Sequence, residues 1–184
     1  MTDPPHPTGF TTLGEEALFA GRVVSFNRVR VRAPDGHEFD REILRHPGVV
    51  VVVPLHDDGT VTLVRQYRVA IGQELLELPA GTRDVVGEPT VVAAARELAE
   101  EAGLAAQHLE ELVTYFAAPG GTDESIVVFI ARGLQEVPTD RQGPEEHAMT
   151  IERIPLDVAL QMIDDGQITD AKTIIGLTLA ARRR

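Results

Sequence analysis

GTRDVVGEPTVVAAARELAEEAGL, from Gly81 to Leu104, runs from a turn-rich loop into a helix bearing Arg96, Glu97, Glu100 and Glu101 within little more than one turn. At about 3.6 residues per turn, Glu97 stands one turn from both Glu100 and Glu101, so three carboxylates project toward one side. Like charges so spaced cost a bare helix about 0.2–0.5 kcal/mol per pair and require compensation. A hard divalent cation would supply it through oxygen ligands, and so would a plain solvated acidic face.

The ends of this helix are marked. Pro89 suits the first helical position, Glu88 beside it favours the positive end of the helix dipole, and Gly103 suits the residue just past the end. The remaining positions, Val91, Val92, Ala94, Ala95, Leu98 and Ala102, are apolar or small, so the helix packs on a core and aims its acids at a defined place.

The stretch resembles the Nudix box, G-x5-E-x7-R-E-U-x-E-E-x-G-U, with U an aliphatic residue. From Glu88 the match is complete through Arg96, Glu97, Leu98, Glu100, Glu101, Gly103 and Leu104; upstream, six residues rather than five separate Gly81 from Glu88. The extra residue falls in the loop, where an insertion is cheap, and it leaves the helical positions in register.

Outside the box the chain carries further segments in order. Val64 to Arg68 read V-R-Q-Y-R, Glu77 to Gly81 read E-L-P-A-G, Ala118 to Glu124 read A-P-G-G-T-D-E, and Pro144 to His147 read P-E-E-H. These resemble the ADP-ribose pyrophosphatases, in which a proline 16 residues beyond the box glycine, here Pro119 after Gly103, goes with ADP-ribose.

The resemblance implies a set of roles. The Ala80 carbonyl and the carboxylates of Glu97 and Glu101 would hold Mg2+ or Mn2+, with Glu100 as a further ligand or a partner to water. Arg96 would orient neighbouring carboxylates by charge-assisted hydrogen bonds. Arg68, then Arg65, would grip the diphosphate of a nucleoside diphosphate sugar, Glu77 would face the adenosine side or the metal shell, and Pro119 and Gly120 would lie along the substrate. Glu146, or Glu145, would activate the attacking water. The implied reaction cleaves ADP-ribose to AMP and ribose 5-phosphate. A nucleotide sugar such as GDP-mannose, a dinucleotide such as NADH, or a non-catalytic ADP-ribose-binding Nudix module are the alternatives. Adenine stacking would fall to Phe26, Tyr67, Phe116 or an arginine face, since Trp is absent.

Composition sets the outer bounds. The 184 residues suffice for one domain and a small appended element, and no apolar run reaches the length of a membrane span. The start, MTDPPHPTGF, reads as a loose tail without the features of a signal peptide. The absence of cysteine excludes disulfides and thiolate chemistry and fits a cytoplasmic setting. A net charge of -12 speaks against broad nucleic-acid binding, and the six histidines, at 6, 37, 46, 56, 108 and 147, show no ligand-like i, i+4 pairing.

Strands are expected at Val23 to Arg32, with Arg28, Arg30 and Arg32 on one basic face, and at Glu38 to Leu44 after the Pro34–Gly36 turn. Others follow at Val49 to Leu55, Val61 to Tyr67, Glu74 to Leu78, Leu112 to Ala117, Ser125 to Ala131 and Met149 to Ile154, with helices at Leu156 to Asp165 and Ala171 to Ala181, the last capped by Thr169 or Asp170. This pattern suggests an α/β sandwich, and the resemblance implies a Nudix-type α/β/α sandwich with a mixed sheet over residues 46–184, preceded by a small N-terminal β-strand region over residues 1–45. In the resembled family such strands exchange across a homodimer, so the basic face would meet the second subunit or the substrate.

Overall fold

The computed structural model describes residues 8–183; the first seven residues of the expected tail, which spans residues 1–10, lie outside them. The chain divides into two compact units. One comprises the described residues up to Gly48 together with Phe116–Ser125, and the other comprises Val49–Tyr115 with the chain from Ile126 onward.

In the first unit, β1 (Thr11–Ala20), β2 (Ser25–Arg32) and β3 (Glu38–Arg45) form an antiparallel sheet in that order. Strand β1 has no counterpart in the sequence reading. Its period is broken by bulges between Thr12 and Gly14 and between Ala17 and Phe19, so no alternation marks it. The basic face of β2 is met within its own sheet: Arg28 pairs with Glu16 at 3.8 Å, while Arg30 and Arg32 both reach Glu38 at 3.3 and 2.8 Å.

The second unit is built around β4 (Val49–Pro54), whose run of valines is buried on both faces, as a central strand requires. It pairs in parallel with β9 (Ser125–Glu136) and antiparallel with the short β7 (Ala80–Thr82), and β8 (Leu104–Phe116) forms the far edge, so this sheet is mixed. A second sheet orders β10 (Thr150–Pro155), β5 (Thr60–Arg68) and β6 (Gln73–Glu77).

Alternation along β4 and β9 sorts the core into two layers. Val50, Val52, Val127 and Phe129 pack with Ala93, Ala94 and Leu98 of α1 (Thr90–Ala102). Val51, Val53, Val128 and Ile130 pack in the layer that holds Leu156 and Ala159 of α3 (Leu156–Asp164) and Leu177 and Ala180 of α4 (Ala171–Ala181). Each valine, leucine, isoleucine or phenylalanine among them contributes about 1.5–3 kcal/mol on burial, and the pair of layers makes the α/β/α sandwich.

Local signals account for most boundaries. Gly103 ends α1 at φ 64, with its N–H on the carbonyl of Ala99, and Asp170 caps α4 by accepting the Thr173 N–H. Pro89 sits one place before its expected position: at ψ 142 it is the cap residue and the helix begins at Thr90. Strand β8 begins eight residues earlier than expected, at Leu104, because an exposed edge strand rich in Gln, His and Glu carries little apolar pattern. The P-E-E-H segment forms a one-turn helix, α2 (Gly143–His147), between β9 and β10.

Candidate active site

Strand β7 hangs on the edge of β4: Val52 N–H donates to the Pro79 carbonyl at 2.9 Å and Ala80 stands opposite Val51. This fixes the backbone of Ala80 and Gly81 against the acidic face of α1. The Ala80 N–H donates to Glu101 at 2.9 Å. The carboxyl group of Glu97 lies so close to Gly81 that a Cβ built there would fall 1.9 Å from Glu97 Cδ. Only glycine leaves room for Glu97, a site function for Gly81 beyond its place in the sequence motif.

Glu97 and Glu101 are 9% and 4% exposed, among apolar neighbours on the same helix. Burial, partly offset by Arg96 and reinforced by Glu100 and Glu146, pushes the Glu97 carboxyl up to about 7. Burial likewise pushes Glu101 up to about 8; the Ala80 N–H pulls it down, while Glu97 and Glu146 add repulsion. Two carboxyls are thus held where their charge is poorly compensated.

Arg96 binds the cluster together. Its Nη1 donates to Glu97 at 2.7 Å and to Glu100 at 3.0 Å, while Nε and Nη2 donate to the two oxygens of Glu88 at 3.3 and 3.2 Å. The fork geometry suits a guanidinium and explains why Glu88, eight positions upstream of Arg96, belongs to the motif. The additional loop residue is absorbed in a turn at Val85–Glu88, closed by the Glu88 N–H on the Val85 carbonyl with Gly87 at φ 80.

Among the described residues no three acidic or histidine side chains are already gathered as a coordination shell. Glu97 and Glu100 face Arg96, and Glu101 faces the Ala80 N–H. The donor set nonetheless fits a hard divalent cation, since it is all oxygen and its two most buried members lack matching positive charge.

Arg68, Glu145 and Glu146 line one cleft of about 340 Å3 with Gln66, Tyr67, Val69, Ala70 and Gln142. The loop bearing both glutamates is fastened to the end of α1, with the Val137 and Asp140 N–H groups donating to the Gly103 and Glu100 carbonyls at 2.9 and 3.3 Å. Arg141 Nη1 closes it by donating to the Met149 carbonyl at 2.7 Å, and Glu146 accepts the Gln142 N–H at 2.6 Å. Of the two glutamates, Glu146 is the one whose charge acts on Glu97 and Glu101. A larger depression of about 600 Å3, around His56, Asp57, Asp58, Arg132 and Asp157, contains none of the expected site residues.

Four expected residues are placed differently from the rest. Arg65 turns to Glu152 of β10 at 2.6 Å. Glu77 is 1% exposed, with both oxygens taken by Arg68 at 2.7 and 2.6 Å and one also by Lys172, so it meets its own protein's cations rather than open solvent. Pro119 lies with Gly120 in the first unit, in a turn closed by Gly121 and Thr122 N–H groups on the Ala118 carbonyl and tied to Leu44 of β3. Of the three aromatics considered for stacking, Tyr67 lines the cleft, while Phe26 and Phe116 belong to the first unit. Lys172 was not foreseen, and Asp170 was expected only as a cap of the last helix; the only trace of their pairing in the sequence is a D-A-K-T start to that helix.

This arrangement has close relatives. The chain is 40% identical to the ADP-ribose pyrophosphatase of Mycobacterium tuberculosis (strain ATCC 25618 / H37Rv), over 91% of its own length and 81% of the relative's. It is 36% identical to the methanol dehydrogenase activator of Bacillus methanolicus, over 90% and 89% of the two chains. It is 33% identical to the ADP-ribose pyrophosphatase of Bacillus subtilis (strain 168), over 88% and 87%. A solved structure titled as that of an ADP compounds hydrolase superposes with a TM-score of 0.81 at 25% identity, covering 94% of this chain and 92% of its own. The NUDIX domain profile matches residues 44–175, which span the buried carboxylates, the Arg96 fork and the cleft, and the chain belongs to the NUDIX family.

Proposed function

We propose that this protein hydrolyses the diphosphate of ADP-ribose, giving AMP and ribose 5-phosphate, with a divalent cation, Mg2+ or Mn2+. The observation that carries the reading is the pair of buried, under-compensated carboxylates, Glu97 and Glu101, set against the Ala80–Gly81 backbone in a NUDIX chain. The ADP-ribose pyrophosphatases among its relatives support the choice of substrate.

The cation would be held by Glu97, Glu101 and the Ala80 carbonyl, with Glu100 at the margin, and when bound it supplies Lewis acidity at the diphosphate. Arg96 keeps Glu97 and Glu100 in place. Arg68 grips the diphosphate oxygens, with Arg65 as a second cation on the same strand. Glu146, with Glu145 as its neighbour, takes the proton of the attacking water. Glu77 acts from beneath Arg68.

Residues 1–45 serve as a dimer-forming region and 46–184 as the hydrolase domain. Exposed Phe19, Phe26 and Leu44, cross-strand neighbours in one sheet, support a homodimer, and a monomer by light scattering at assay concentration would overturn it. Among the described residues no helix is long and apolar enough to cross a membrane, and a cysteine-free chain of net charge -12 suits a cytoplasmic enzyme without nucleic-acid partners.

AMP release from ADP-ribose with Mg2+ or Mn2+, beside GDP-mannose and NADH and with an EDTA control, tests the reading. EDTA-sensitive preference for ADP-ribose is the expected result. Preference for another substrate would discard the specificity, and no cleavage of any would discard the hydrolase.

A further inference from the structure

Glu77 stands in a closed ring of polar contacts that reaches from the cleft into the interior. Its carboxylate takes Arg68 Nε and Nη2, and Lys172 Nζ shares the second oxygen. Lys172 also donates to Asp170 Oδ1 at 2.8 Å, and Asp170 Oδ2 accepts the Thr173 N–H and hydroxyl at 2.9 and 2.6 Å. The Thr173 hydroxyl in turn accepts the Leu78 N–H at 2.8 Å, returning the ring to the residue after Glu77. Two cations therefore balance two carboxylates. Lys172 and Asp170 side chains are each 14% exposed, whereas Arg68 opens on the cleft.

Arg68 spends its Nε–Nη2 edge on Glu77, and its Nη1 has no hydrogen-bond partner among the described residues. A buried carboxylate with one cation would draw that cation inward and hold it. With Lys172 sharing the charge, Arg68 is steered without being consumed. We infer that Lys172, held by Asp170 at the start of α4, is a positioning residue for the substrate, which through Glu77 sets the guanidinium of Arg68 to bind the diphosphate. The inference rests on the reading of Arg68 as the diphosphate residue.

The experiment is a double-mutant cycle on the full chain with ADP-ribose and Mg2+, reading KM, kcat and Tm for Lys172→Met, Arg68→Met and the pair. Lys172→Met should raise KM about tenfold, the scale of one charge-assisted contact, with kcat within about threefold. It should add nothing further in the Arg68→Met background, and Lys172→Arg should restore KM to within about twofold, since it returns the charge.

Arg68→Met with unchanged KM removes the reading of Arg68, and the inference with it. If Arg68→Met raises KM while Lys172→Met shifts only Tm, or acts equally in both backgrounds, the role of Lys172 alone is overturned. Should Lys172→Met fail to fold, Asp170→Asn keeps the cap and loosens Lys172. A KM rise of about two- to threefold is then expected, and wild-type KM overturns the inference.

Discussion

Glu77 and Glu101 are both glutamates buried to within a few per cent of full occlusion, yet the protein treats them in opposite ways. Burial pushes Glu77 up, but Arg68 and Lys172 outweigh it and hold the carboxyl below its ordinary range. At Glu101 burial dominates, the Ala80 N–H is a weaker counterweight, and neighbouring glutamates push the same way, so the carboxyl rises to about 8. The first charge is fully answered by protein cations and belongs to the framework. The second is answered by a backbone N–H and repelled by other acids, as suits a group whose partner comes from solution. The same residue type at the same depth thus either orders the protein's own cations or is left to meet a cation from solution, according to where the positive charge resides.

The comparison breaks most sharply by substitution. Glu101→Gln should lower kcat for ADP-ribose by about two to three orders of magnitude, the scale of losing one electrostatic contact to the reacting centre, while the metal-free protein keeps or gains thermal stability. Near-normal turnover in that variant would remove Glu101 from the mechanism. Glu77→Gln should do the reverse. Leaving Arg68 and Lys172 without their anion should cost about 3 kcal/mol of unfolding free energy in a urea titration, with activity lost mainly through KM. A Glu77→Gln protein as stable as the parent would show that the two sites do not differ as argued. Gly81→Ala, which sets a methyl group where Glu97 now lies, should cost about 1–3 kcal/mol and most of the turnover, because Glu97 must move.

The pH response sharpens the contrast. Glu97 and Glu101 hold protons up to about 7 and 8 in the fold and only to the ordinary 4.5 when unfolded. Between those limits the folded metal-free protein binds more protons than the unfolded chain, so unfolding free energy falls as pH rises. The two groups' contribution is whole below about pH 4.5 and lost by about pH 8. Scanning calorimetry in EDTA should show Tm declining from pH 5.5 to 8 in the parent and a flatter profile in Glu101→Gln. Equal slopes would contradict the assignment.

Much of this was legible in the sequence because it is local. A valine run, an alternating strand, a glycine after a helix and seven residues between Glu88 and Arg96 are all short-range patterns, and they gave the central strand, the end of α1 and the Arg96 fork. What escaped is long-range or aperiodic. Lys172 meets Glu77 from 95 residues away, with no spacing rule to connect them. Strand β1 is disguised by its bulges and β8 by its polar edge. Glu77, expected to face the adenosine side or the metal shell, is paired beneath Arg68, because a motif names a residue without its depth.

The most direct test is the shift in Tm on adding millimolar Mg2+ to the parent, Glu101→Gln and Lys172→Met at pH 6 and pH 8. A cation that replaces protons on Glu97 and Glu101 should stabilise the parent more at pH 8 than at pH 6. The shift should persist in Lys172→Met and largely vanish in Glu101→Gln. Equal shifts in the parent and in Glu101→Gln would contradict the claim that these buried carboxylates are kept for a cation.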